Sequence, residues 1–310
     1  ILKHDIVSPA MQYGDEMKSF ASLDLVFSPS AAGGEGAAQV AVEGGSLSQL
    51  PEGQRLFQHS DTACLLGEAE SGRCPGLLTR GGFSVAVRDF WQNWPKALSA
   101  PAEGLTVGLY PTITPPDRYS NQPNEWLLHY YIRDGVYTFR SGFQKRHELL
   151  MGPSGAATPA QLLARVNAPL IVSAPASWYA DSGALLDITA DDPEEFALYD
   201  ELMDQGVDLY FDAVEQNHWY GLMNYGDTPG GRPYSWRNIE YDTQHGLLSQ
   251  YFRTGDRRFF IAAERAARHN ADVDVVHHAA GQKCGAGGPR RVGQAWVHCM
   301  GHTGGYYPPN

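Results

Sequence analysis

GLMNYGDTPGGRPYSWRNIEYDTQHGLLSQYFRTGD, Gly221–Asp256, runs directly into RRFFIAAERAARHN, residues 257–270, and the two stretches together decide the helical half of the chain. From Asn238 onward, Tyr241, His245, Leu248 and Phe252 recur at three- and four-residue spacing, which places them on one face of a helix. Thr254-Gly255 closes that helix, Asp256 caps the next, and Phe259, Phe260, Ala263 and Ala267 give the second helix an inward face. The pattern predicts an antiparallel helical hairpin with polar groups crowded at the start of its first helix. Amide, carboxylate, imidazole, phenol, guanidinium and indole groups all lie there, a mixture suited to a carbohydrate. A plainer reading has Asn238 and Asp242 as helix caps and Tyr241 and His245 as hydrogen-bonded core residues.

The 310 residues are enough for two domains, each with its own core. Hydrophobic residues make up 43% and charged residues 19%, which excludes extensive disorder. A formal net charge of -12 argues against nucleic-acid binding, because phosphate neutralisation needs a broad basic surface. An acidic polysaccharide would therefore need a local basic pocket. No apolar run reaches the length of a membrane span, and ILKHDIVSPAMQYGDEM at the start lacks an initiator Met and a signal-peptide pattern. A processed or incomplete chain is expected, and GYYPPN follows a motif-rich segment so directly that the native polypeptide is expected to continue.

The first half reads as strands. SLDLVFS, AAQVAVEGG, GFSVAVRDF, GLTVGLYP and GVYTFRSGF show alternation or β-rich composition between Gly, Pro, Asn and Asp turns, predicting a large antiparallel sheet or sandwich. Residues 153–183, rich in Pro, Ala and Ser, read as the connection to a helical half. There Asp191 or Asp192 caps a helix with Pro193 at its first position and Phe196, Tyr199, Leu202 and Met203 on its apolar face. The expected class is multidomain α+β, with residues 1–175 β-rich and sandwich-like and 176–310 helical. Cys64 with Cys74 and Cys284 with Cys299 are the natural local disulfide pairs, each stapling a loop in an oxidising compartment; reduced buried thiols are the alternative.

In order from Gly82 to Tyr307, the segments GGFSVAVRDFWQNWPKAL, YTFRSGFQKRHELL, GLMNYGD, WRNIEYDTQHGLLSQYFRTGD, ARHNADVDVVHH and HCMGHTGGYY resemble the exo-acting rhamnogalacturonan lyases, a family of polysaccharide lyases. The resemblance implies a β-sandwich-like domain before an (α/α) toroid, here only its first part, to be completed by further polypeptide or a partner chain. It also implies a secreted enzyme that cleaves the pectin backbone by β-elimination.

That chemistry has its own requirements. Removing the C5 proton of a uronic acid needs a base, stabilisation of the enolate at the carboxylate, and an acid for the leaving oxygen. His245 suits the base, Tyr241 the acid, and Arg237 and Asn238 the carboxylate binders. In GHTGGYY, His302 offers a second proton shuttle and Tyr306 a stacking face, while Trp236, with Trp219 and Trp296, offers a sugar platform. Arg140, Lys145, Arg146 and His147 supply the basic segment, with strand alternation sending Lys145 and His147 to one face. A toroid hydrolase would instead use Asp227, Glu240 and Asp242 as paired carboxylates, and a non-catalytic sugar-binding module would use the aromatic residues alone. The sequence requires no cofactor and assigns no metal site. Asp272, Asp274, His277 and His278 are the residues a cation would use, calcium fitting better than zinc.

Overall fold

The computed structural model describes residues 17–28, 36–102, 104–119, 132–140, 142, 144–153, 157–185, 188–228, 241–278, 283–284, 288–289 and 291–293. The chain divides into two compact units. The first comprises Ile1–Ser141, Lys145–Leu170 and Tyr220–Met223, and the second Gly142–Gln144, Ile171–Trp219 and Asn224–Asn310.

The first unit is antiparallel β structure. A six-stranded sheet runs in the order Leu23–Phe27, Leu105–Tyr110, Lys96–Ser99, Arg55–Gln58, Cys64–Leu66, Ala69–Ser71, and a five-stranded sheet in the order Leu149–Pro153, Phe83–Val87, Leu77–Arg80, Ala38–Ala41, Leu47–Leu50. A smaller sheet joins Met17–Phe20, Val136–Arg140 and Ile132–Arg133. Each of the five segments read as strands from the sequence carries one. Side chains alternate across a strand, and the five-stranded sheet uses both faces. Leu77 pairs with Ala86, which pairs with Leu150, and with Ala41 this row packs under helix α1 (Pro159–Asn167) through Ala157, Leu162 and Val166. Val40, Leu78 and Val85 occupy the alternate positions and are completely buried.

Helix α1 lies inside the Pro-, Ala- and Ser-rich stretch expected to be a connection. Its start is a capping box: Gln161 N donates to Thr158 Oγ1 at 3.2 Å, Thr158 N donates to Gln161 Oε1 at 2.8 Å, and Pro159 occupies the first helical position. Those three residues specify a helix despite the composition around them. The expected staple between Cys64 and Cys74 is also absent. Both are buried free thiols, and Cys74 Sγ donates to Ala41 O at 2.9 Å, so this part of the sheet is held by packing.

The second unit is helical, with α2 (Ala176–Asp181), α3 (Ala197–Gln216), α4 (Thr243–Thr254) and α5 (Arg257–His269). The α4–α5 hairpin turns where expected. Gly255 takes φ 73, a left-handed conformation that suits glycine, and Asp256 Oδ1 accepts from Arg258 N at 2.7 Å to cap α5. Phe259, Ala262, Ala263 and Ala266 are buried at the spacing of one helical face, and Phe259 meets Val207 and Tyr251 with Met203, Phe211, Leu247 and Phe252 around them. The apolar face of α3 is therefore Met203, Val207, Phe211 and Val214, rotated from the expected one. Tyr199 and Leu202 are exposed, Leu202 by 57%. Buried Arg253 explains part of the rotation: its guanidinium donates to Asp200 Oδ1 at 2.7 Å and Gln250 Oε1 at 2.9 Å and stacks 4.9 Å over Tyr199. Among the described residues no helix is long and apolar enough to cross a membrane.

Because Leu162 fills the α1–sheet core, we expect Leu162→Ala to cost about 2–4 kcal/mol and Thr158→Ala about 1 kcal/mol in urea denaturation. Unchanged unfolding midpoints for both would mean that α1 is not part of the folded β unit.

Candidate active site

Tyr241 and Asp242 immediately precede α4. Asp242 holds φ 48 and ψ 47, and in this left-handed conformation its carboxylate makes no capping bond to the helix. It turns sideways: Gln244 Nε2 donates to Asp242 Oδ1 at 2.9 Å, and His245 Nδ1 lies 3.8 Å from Asp242 Oδ2. The 3.8 Å separation is too long for a hydrogen bond, so the pair is an electrostatic neighbourhood. His245 is 72% exposed and Asp242 63% at the side chain, while Tyr241 is 67% exposed. The plainer reading of Tyr241 and His245 as core residues is overturned, since Leu247 and Tyr251 face the core instead. An exposed imidazole beside an exposed carboxylate and phenol is accessible to a polymer, as a base or acid must be.

Trp236, Arg237, Asn238, Glu240, His302 and Tyr306 lie outside the described residues, as do Trp296 and Cys299. Arg140 ends the strand Val136–Arg140, and its side chain is not described. In the first unit, Lys145 and His147 stand in an irregular stretch before the strand Leu149–Pro153, and both are buried. Their burial alternates with half-buried Arg146 and Glu148, as the expected alternation has it, although the stretch is not a strand. Trp219 is half-buried.

Sequence reasoning missed Lys96. It is almost completely buried, its Nζ donates to Leu109 O at 2.7 Å, and the ammonium lies 5.3 Å from the centre of the Tyr110 ring. Burial chiefly, with the charge of Lys145, lowers its pKa well below the usual lysine value. The available signal was strand alternation, which puts Lys96 on the side of fully buried Leu98.

The second unit contains a buried ionisable group assembled from two distant motifs. GLMNYGD supplies Asp227, and ARHNADVD supplies His269 and Asp274. His269 Nε2 lies 3.2 Å from Asp227 Oδ2 and 3.4 Å from Asp274 Oδ2, with all three side chains buried. Local backbone geometry brings them together. Residues Asn270–Asp274 form a π turn, with Val275 N donating to Asn270 O at 3.1 Å. An α-helix would rotate residue 274 about 140° from residue 269, whereas the wider i→i+5 turn returns it toward the same side. Gly226, at φ 99, lets the preceding loop lie against α5, because a Cβ there would meet Arg265 O at 2.2 Å. Burial lowers the basicity of His269, but the carboxylates of Asp274 and Asp227 outweigh it and raise its pKa to about 10. Nearby, burial pushes the Tyr210 phenol up to about 12, against the charge of Arg265 and with that of Asp227.

The four residues expected to serve a cation do not gather. Asp274 joins Asp227 and His269, Asp272 accepts from Gln144 Nε2 at 3.4 Å, His277 Nε2 is bonded to Ala271 O at 2.6 Å, and His278 is exposed.

Residues 168–292 match the family model described as the PcRGLX-like protein C-terminal alpha/alpha toroid domain. The match points to a rhamnogalacturonan lyase-like, carbohydrate-active family and makes the architecture antiparallel β followed by (α/α) toroid. A comparison with curated proteins returned no match.

Lys96 sets a pH test. The unfolded chain holds a proton on this amine up to about 10.4, and the folded chain releases it at lower pH, so the group's folding penalty shrinks as pH rises toward that value. We expect Lys96→Met to be more stable than the parent at neutral pH, with the difference narrowing toward pH ~10 in urea denaturation. A difference independent of pH would show that Lys96 stays charged when folded.

Proposed function

We propose that this chain belongs to a secreted polysaccharide lyase that cleaves rhamnogalacturonan or a closely related uronate-containing chain by β-elimination. The observation that carries the reading is the toroid-domain match over residues 168–292. It is supported by the exposed cluster at the start of α4, where Tyr241, Asp242 and His245 stand together.

In this reading His245 removes the C5 proton of the galacturonate, with Asp242 beside it. Tyr241 or His302 returns a proton to the departing oxygen at C4, and the C4–O bond breaks as the C4–C5 double bond forms. Arg237 and Asn238 bind the carboxylate on which negative charge develops, and Trp236 and Tyr306 provide stacking faces. Arg140 and Lys145 belong to the same proposal as uronate-binding cations of the β-rich region, taken as residues 1–175, with the catalytic region at 176–310. The burial of Lys145 makes it the weaker of these assignments.

A hydrolase reading needs two carboxylates at a glycosidic bond. Asp242 is exposed, but Asp227 is buried against His269, which disfavours Asp227 as a free acid or nucleophile.

The test is incubation with a panel of acidic and neutral polysaccharides while following ultraviolet absorbance and reducing ends together. Lysis of rhamnogalacturonan gives both in equal number. Reducing ends without absorbance, or turnover confined to neutral glycans, would reject the reading. Within it, His245→Ala should lower kcat by about 10²-fold or more with a smaller change in KM. Unchanged kcat would remove His245 from the chemistry while leaving lyase activity itself standing.

A further inference from the structure

The buried group at the end of α5 has a spacing that a shared proton explains poorly. Charge-assisted N–H···O bonds run about 2.7–2.9 Å, yet His269 Nε2 stands 3.2 Å from Asp227 and 3.4 Å from Asp274. One N–H points in one direction, and here two carboxylates converge on it. Ligand atoms held tetrahedrally about 2.0–2.1 Å from an ion lie about 3.3–3.4 Å apart, which matches both separations. The donor atoms of all three residues lie within 4.8 Å of one another.

We propose that Asp227, His269 and Asp274 form a divalent metal site of the first-row transition class, with zinc as its reference ion. Two carboxylate oxygens and one imidazole nitrogen suit that class, whereas calcium takes six to eight oxygen ligands. In charge, a divalent ion with a neutral imidazole matches two carboxylates. Backbone geometry supports it as well, because the π turn and Gly226 both deliver ligands to one point. The ion would tie the GLMNYGD loop to the end of α5, giving the toroid a structural metal beneath its loops.

The test uses the 310-residue chain, freed of metal with a chelator and titrated with Zn²⁺, Mn²⁺ and Ca²⁺ by calorimetry and thermal melting. About one Zn²⁺ per chain should bind, with a melting temperature several degrees above the metal-free protein. Calcium should bind at least tenfold more weakly. Asp274→Asn and Asp227→Asn should each weaken Zn²⁺ binding at least tenfold. If those variants fail to fold, the unaltered protein decides through Co²⁺, which should give a visible absorption band that Zn²⁺ displaces. No binding and no melting shift would overturn the proposal and leave His269 as an imidazolium between two carboxylates. Binding that survives both Asn substitutions would also overturn it, placing the ion elsewhere. None of these readouts involves turnover, so the result is independent of the lyase reading.

Discussion

The helical unit depends on how three ionisable side chains share one dry volume. Asp227, His269 and Asp274 have no solvent to spread their charge, so each needs the others, and removing one partner from such a group typically costs about 3–5 kcal/mol. Their positions in turn fix the surrounding backbone. The GLMNYGD loop must lie against α5, which only a glycine at 226 allows, and the chain after α5 must widen into a π turn. Residues next to that turn are held as well: Gln144 N donates to Asp272 O at 2.7 Å and His277 N to Gly142 O at 2.6 Å. A chain segment from before the helices is thus part of the helical unit.

The helical unit holds one exposed and one buried ionisable cluster. A base must reach a polymer and exchange protons with water, as exposed His245 can. A group that sets loop positions stays dry, as buried His269 does. Both histidines lie in the one sequence stretch that also forms the α4–α5 hairpin, so folding the hairpin positions both.

The parts legible in the sequence were those set by neighbours in the chain. The five strand segments, the Thr254-Gly255 helix end and the Asp256 cap all follow from local rules. The face of α3 was not legible, because buried Arg253 draws Asp200 and Tyr199 to itself and changes which side of the helix meets the core. Helix α1 was obscured by its composition, although the capping-box residues Thr158 and Gln161 were there to be read. Lys96 was legible only through its alternation with buried Leu98. At the candidate site the residue types were legible and the grouping was not. Asp227 reads as a carboxylate of the hydrolase alternative until the fold brings it to His269, and a π turn has no simple sequence signal to announce Asp274.

In the lyase reading, the protein's chemistry begins with removal of a proton at C5 of a uronate. Single-turnover kinetics with rhamnogalacturonan carrying deuterium at C5 test it most directly. The lyase reading predicts a primary isotope effect, with the deuterated substrate cleaved several-fold more slowly and an unsaturated uronate at each new non-reducing end. Equal rates, with saturated ends, would contradict it.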